Sequence, residues 1–346
     1  MRDRKAAIRY LLHFRFKFET QHPSMETVGD FVVQRKTSKG LKFLRSQLIL
    51  AHERIDWSPT LILGELWRLL ISRGLRREIL RLLKLQPFDE IVENYPGLAL
   101  NYVVPNYLAR GFTVAERVAC FLHHYRRIHA LFPEDVLRQL LQGFIPLYEI
   151  SDRGNYFALM IGLPRPPLDK EGELSLILQV NNETIFSLSF TIVPGWVVKS
   201  ETAEVLLISH LQGRRGCNSQ IRLARKAFQD YSPRGPLLAA LQGIADAFDI
   251  GEIVAVCATN QKSFKMERAT LFKNAYDDFF AKAGMVRISA DFYSSPIPIE
   301  GKPLASFRGR AKRRAHLRRT ARQQVRVVCA SVLLGIADRT ADSCSC

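Results

Sequence analysis

The chain has no CxxC pair. Its six cysteines, at 120, 217, 257, 329, 344 and 346, are scattered. That spacing fits neither a zinc site nor a dense disulfide framework, so reduced thiols in a cytoplasmic protein are expected. Cys344-Ser-Cys346 has the form of a prenylated CxC end, but nothing else in the chain supports that reading. No apolar run reaches the ~20 residues needed to cross a bilayer, and Val327 to Ala337 is about half that length. No secretory signal is expected either, because His13, Arg15 and Lys17 interrupt the apolar residues of the basic segment Met1 to Glu19. No HExxH, Walker, GxSxG or Rossmann fingerprint occurs, and no RNP-like or zinc-finger signature. Acidic residues are in deficit, with 33 Asp and Glu against 50 Lys and Arg, a formal charge of +17. Such an excess favours anionic partners: nucleic acid, acidic lipid headgroups or a phosphorylated small molecule.

Hydrophobic residues make up 47% of the 346 and charged residues 24%, so the chain buries an ordinary core without staples. The first 142 residues read as helical. Leu61, Leu63, Leu66, Leu69 and Leu70 recur at helical spacing, as do Leu75, Ile79, Leu82 and Leu83. Val114, Val118, Phe121, Tyr125 and Ile128 form the clearest stripe, and Thr113 with Glu116 makes a capping box before it. Pro87, Pro96, Pro105 and Pro133 punctuate these pieces. No solenoid repeat is visible.

From Gly143 the pattern turns to strands. Leu147 to Ile150 and Tyr156 to Gly162 are short candidates. Pro164, Pro166 and Pro167 then form a rigid loop. Glu173 to Val180 and Thr184 to Val193, joined at Asn181-Asn182, predict an antiparallel hairpin. Glu204 to His210 is a further strand. Asn218 to Phe228 and a segment opening at Ser232-Pro233 are helices, the second closing at Asp249-Ile-Gly251. Ile253 to Cys257 is a buried strand, parallel to Glu204–His210 because a helical crossover joins them. A helix over Asn274 to Ala283 ends at Gly284, and Val286 to Tyr293 adds one or two closing strands. The expected fold is α/β (α+β). It has a helical N-terminal region over 1–142, a mixed-sheet domain over 143–305 and a basic helical tail over 306–346. The few apolar residues of Arg308 to Arg326 make a poor core face, which predicts that this piece lies on the surface.

An ordered set of short motifs resembles the VirK/YbjX family of Gram-negative bacteria. It comprises Tyr95-Pro-Gly-Leu, Ala115 to Tyr125, Leu147-Tyr-Glu-Ile150, Gly172-Glu-Leu-Ser-Leu, Phe186 to Phe190, Leu211-Gln-Gly213, Pro233 to Ile250, Ala275 to Phe279 and Gly309 to Ala315, spanning about 70 to 320. The resemblance implies roles in virulence, late envelope remodelling, resistance to cationic antimicrobial peptides and, weakly, the response to DNA damage. It supplies no catalytic residues. Where the family tends to carry Ser-Asn followed by His, this chain reads Thr259-Asn260-Gln261-Lys262.

The element order also resembles the GNAT acyltransferases. That likeness implies acyl-CoA as a cofactor and places its phosphate loop at Gln212-Gly-Arg-Arg-Gly216-Cys217, where the glycine spacing departs from the family's. It also puts Phe280 where the acid tyrosine of that fold often stands. Read without any family, Gln212, Gly213, Arg214, Arg215, Gly216 and Asn218 form a basic strand-to-helix turn that suits an anion, or a solvated turn that needs glycine. His210 at the strand end reads as structural, and Cys217 likewise, since neither has a recognisable partner. His123, His124 and His129 fall on different helix faces, which opposes a shared metal. Arg310, Lys312, Arg313, Arg314, Arg318 and Arg319 form a basic surface: a solvated face, a phosphate strip for nucleic acid, or a contact for acidic membrane. The expected protein is cytoplasmic, either free or peripheral to the inner membrane. It is either an acyltransferase or a non-enzymatic basic module.

Overall fold

A computed structural model describes residues 73–85, 87–89, 101–102, 104–164 and 171–343. The chain divides into two units, Met1–Arg45 and Ser46–Cys346, and all the described residues lie in the second. The Met1–Glu19 segment, the Leu61–Leu70 stripe, the Tyr95-Pro-Gly piece, Pro166, Pro167 and the terminal cysteine pair lie outside the described residues.

Among the described residues, three helices precede the sheet: α1 (Arg73–Leu82), α2 (Val114–Leu131) and α3 (Glu134–Gln142). The capping box starts α2 as expected. The Thr113 hydroxyl accepts the Glu116 N–H at 3.2 Å, and the Glu116 carboxylate accepts the Thr113 N–H at 2.7 Å. A cap of this kind stabilises a helix by ~1 kcal/mol. Of the predicted stripe, Val118, Phe121, Tyr125 and Ile128 are buried.

Eight strands form one mixed sheet: β1 (Phe144–Asp152), β2 (Asn155–Gly162), β3 (Leu174–Val180), β4 (Glu183–Pro194), β5 (Glu204–Gly213), β6 (Glu252–Val256), β7 (Val286–Arg287) and β8 (Phe292–Pro296). Their spatial order is β1-β2-β3-β4-β5-β6-β8-β7, antiparallel throughout except for the parallel pair β5–β6. The β3–β4 hairpin turns at Asn181 and Asn182, both at positive φ, as a tight turn between twisted strands requires. The crossover from β5 to β6 carries α4 (Asn218–Ala227) and α5 (Arg234–Ala247). After β6 come α6 (Ala269–Ala275) and α7 (Asp277–Ala283). Gly284, at φ 109°, ends α7 as predicted.

The period of two divides the core. Leu206 and Ile208 of β5, with Ile253 and Ala255 of β6, face a large cluster with α3, α5 and the tail. Val205, Leu207, Val254 and Val256 face a second cluster with α1, α2 and residues 102–109. The tail is one long helix, α8 (Gly309–Ser343). Val325 corrects the surface placement expected for Arg308–Arg326: it is buried in the first cluster, as are Cys329 and Leu333 beyond that piece. Gly243 of α5 lets that helix approach, since a Cβ there would stand 2.3 Å from the Arg326 carbonyl. Arg326 clamps the contact through Asp246 at 2.5 and 2.7 Å. Among the described residues, no helix is long and apolar enough to cross a membrane.

The helical face is tied to the sheet by His124. Its buried Nδ1 accepts the Ile192 backbone N–H at 3.2 Å, just beyond the point where Leu174 begins β3 opposite Phe190. Burial, with the neighbouring His123, pushes the His124 imidazole down to about 3. The unfolded chain, with an ordinary histidine near 6.5, therefore binds the extra proton between those values, and stability falls as pH drops from ~6.5 towards 3. His124→Leu leaves the Ile192 N–H unpaired and should cost ~1–3 kcal/mol in urea unfolding at pH 7.5. His124→Asn keeps an acceptor there and should flatten the loss of stability between pH 7 and 5.

Candidate functional site

Strands β5 and β6 run together for only three rows: Leu206 with Ile253, Leu207 with Val254 and Ile208 with Ala255. Beyond them β5 bulges at Ser209 and continues against β4 as far as Gly213, while β6 ends at Val256 and the chain turns away over Ala258–Asn260. The pairing therefore splits at the carboxyl ends of two parallel strands; this crevice in the ladder has the position where open α/β sheets hold ligands.

Polar groups gather where the strands part. On β4, Ser187, Ser189 and Thr191 alternate with core residues Phe186, Leu188 and Phe190, so they line the α2 face of the sheet. Ser189 stands opposite His210 and hydrogen-bonds Ser175 at 2.9 Å. Glu171 reaches over this row. Its carboxylate contacts the Nδ1 of His210, a nitrogen with no other hydrogen-bond partner, and the Ser209 hydroxyl donates to its backbone carbonyl. Burial pushes the Glu171 carboxyl up, but the hydrogen bond and charge of His210, then Lys262 and Ser263, outweigh it and leave it below the usual carboxylate range. Both side chains are buried. His210 is thus not the lone histidine expected from sequence but the buried partner of a carboxylate.

The chain next to Glu171 is equally constrained. Gly172 passes so near β4 that a Cβ would lie 2.8 Å from the Ser189 Cβ and 2.9 Å from the Phe190 nitrogen. Glu173 then turns inward. It accepts hydrogen bonds from Tyr107, from Tyr125 at 2.6 Å and from Asn101 at 3.3 Å, which anchors the helical face.

On the other side of the crevice, the single helix predicted over Asn274–Ala283 is two. Tyr276 breaks it, at φ −114° and ψ −71°, and Asp277 accepts the Ala258 N–H at 2.8 Å. The break turns Tyr276 inward, where it is buried and the Leu211 backbone N–H acts on its hydroxyl. Burial first, then the charge of Glu171, raises the Tyr276 phenol well above its ordinary value, so it stays protonated; the Leu211 N–H and Arg234 pull the other way. Phe280, which stands where an acid tyrosine was sought, is fully buried core. The tyrosine lies one helical turn earlier, on the same face, and that spacing was readable in the sequence. Glu171 had no such signal, because it sits in an irregular segment before a strand.

The predicted anion turn runs on from this point. Gln212 is exposed, and Gly213 closes β5 against the Phe186 ring. Arg214 donates its N–H to Ile185 at 2.9 Å, and its guanidinium lies 3.6 Å from Glu183. Glu183 also accepts from Gln220 at 3.0 Å. Arg215 and Asn218 are exposed, Gly216 adopts φ 84°, and Cys217 is buried below the start of α4. The histidines of α2 point apart. His123 pairs with Glu204 at 2.7 Å, His124 caps β4, and His129 is exposed. Arg310, Lys312, Arg313 and Arg314 are exposed on the first turns of α8. Arg318 donates to the carbonyls of Gln229 and Asp230, and Arg319 to that of Lys302.

Sheet order, the parallel junction and the closing β7–β8 hairpin define a mixed α/β protein. A family model described as a protein of unknown function, DUF535, matches residues 66–324, and the chain belongs to that family, the VirK/YbjX family. A comparison with curated proteins finds no match. Among solved structures, a mutant of a cAMP-binding acyltransferase from Mycobacterium smegmatis is similar at 13% identity over 62% of this chain, with a TM-score of 0.25. The chain spans 60% of that protein's length, and a likeness of this size carries no argument about activity.

Gly172→Ala tests whether the Glu171–His210 pair depends on this close approach. The added methyl has no room against β4 and should destabilise the protein by ~1–3 kcal/mol in urea unfolding.

Proposed function

We propose that the β5–β6 crevice is an acyl-transfer site. The observation that carries the reading is the buried Glu171–His210 pair at the point where the parallel strands separate. With Nδ1 turned to the carboxylate, the other ring nitrogen, Nε2, is left to act as a base. The Leu211 N–H and the protonated Tyr276 hydroxyl are two donors that a carbonyl oxygen entering between them would accept. In the transfer, the acceptor's hydroxyl or amine gives its proton to His210 Nε2 and bonds the acyl carbon. The carbonyl electron pair moves onto the oxygen held by the two donors. Collapse then breaks the carbon–sulfur bond, and the imidazolium returns the proton to the leaving thiolate. Acyl-CoA is the donor this reading implies, with Gln212 to Asn218 as the turn towards its phosphates. The family resemblance adds a setting: a cytoplasmic enzyme of envelope stress, virulence or antimicrobial-peptide resistance.

A second reading has its own observation. From Gly309 to Arg326, α8 carries no acidic residue, and its first turns are exposed. Such a strip suits nucleic acid or an acidic membrane surface, without catalysis.

Acetyl-, octanoyl- and palmitoyl-CoA should raise the thermal midpoint of the full chain, and silence towards all three would remove the acyl-transfer reading. His210→Ala should lower turnover by ~10²–10⁴ while leaving donor affinity near wild type. For the second reading the tail must stay in place, because its second half is core. Gln at Arg310, Arg313 and Arg314 should flatten the salt dependence of DNA filter binding or of flotation with acidic liposomes. An unchanged slope in both assays would exclude this strip as the contact.

A further inference from the structure

Arg234, at the start of α5, is a half-buried cation without a counter-charge. Two arginines of similar burial have one: Arg326 holds Asp246, and Arg127 holds Glu204 at 2.6 Å. Arg234 makes one long hydrogen bond, 3.5 Å to the Asn274 carbonyl, and among the described residues no carboxylate pairs with it. Its guanidinium lies 5.9 Å from the centre of the Phe186 ring and 5.4 Å from that of Phe279. Two rings fix the guanidinium and offset part of its desolvation, yet most of its five donors stay unused. Withdrawing a charge from water without a partner is costly, and such a site favours an anion.

Its location ties it to the crevice. Phe186 stands opposite Gly213 at the end of β5, and the Gly213 backbone packs on the same ring that Arg234 covers. Phe279 follows Tyr276 by three residues on α7, and the charge of Arg234 acts on the Tyr276 hydroxyl. The cation therefore sits between the carboxyl end of β5 and the first turn of α7, beside the exposed Arg215 turn.

We infer that Arg234 anchors a phosphoryl group of the ligand that enters the β5–β6 crevice. A guanidinium beside two rings offers two parallel N–H donors to two phosphoryl oxygens, a match that an ammonium cannot reproduce. The inference rests on the crevice being a ligand site and not on the chemistry performed there.

The test is calorimetric titration of the full chain with inorganic pyrophosphate and, separately, with coenzyme A. Wild type should bind, Arg234→Met should lose about ten-fold or more in affinity, and Arg234→Lys should fall between them. The Arg214→Ala/Arg215→Ala double variant should lose less than Arg234→Met. Tighter binding of coenzyme A than of pyrophosphate assigns the phosphoryl group to the acyl donor; equal binding assigns it to another phosphorylated ligand, and both support the anchor. No binding of either probe by wild type overturns it, as does an Arg234→Met affinity within about two-fold of wild type. If Arg234→Met fails to fold, Arg234→Lys decides, and wild-type affinity there overturns the anchor. Pyrophosphate binding through Arg234 without acyl turnover leaves the anchor standing and removes the transfer reaction alone.

Discussion

Three rows of parallel pairing between β5 and β6 join the antiparallel strands β1–β4 to the β8–β7 pair. The rest of the site depends on how short that junction is. A longer parallel pair would satisfy the Leu211 N–H within the sheet and close the gap. Because β6 ends early, that N–H acts on Tyr276 instead, and the bulge at Ser209 sets His210 beneath Glu171. The junction can be short because both its faces are covered by apolar clusters, so burial rather than ladder length holds the strands together.

Around it, polar groups are buried under strict terms. Glu173 is surrounded by hydroxyl and amide donors, and His124 stays neutral by accepting one backbone N–H. Each replaces lost hydration with a fixed partner, which is the condition for keeping a polar group inside. Glu171 and His210 meet the same condition through each other. Arg234 meets it only in part, with rings in place of an anion, which separates it from Arg326 and Arg127.

Much of the architecture was legible along the chain. The capping box at Thr113, the Asn181-Asn182 hairpin, the helix break at Asp249 and the Gly284 stop are local signals, and the structure bears each of them out. The α8 helix was legible only in part. Its arginines were read as surface, correctly for the first turns, but Val325, Cys329 and Leu333 find a core only because Gly243 lets α5 come close. The predicted single helix over Asn274–Ala283 is broken because Asp277 is drawn to the Ala258 N–H, a partner nineteen residues away.

Local order therefore came from the sequence: periodicity, turn residues and caps act over a few residues, and so does the count of charges that makes the chain basic. The site did not. Glu171, His210, Leu211, Arg234 and Tyr276 are scattered over about a hundred residues and belong to different elements. Their relation exists only after β5 and β6 pair, part and let the flanking segments fold over the gap. A carboxylate becomes a partner, or a cation an unpaired one, through what lies across that gap, and spacing along the chain does not encode it.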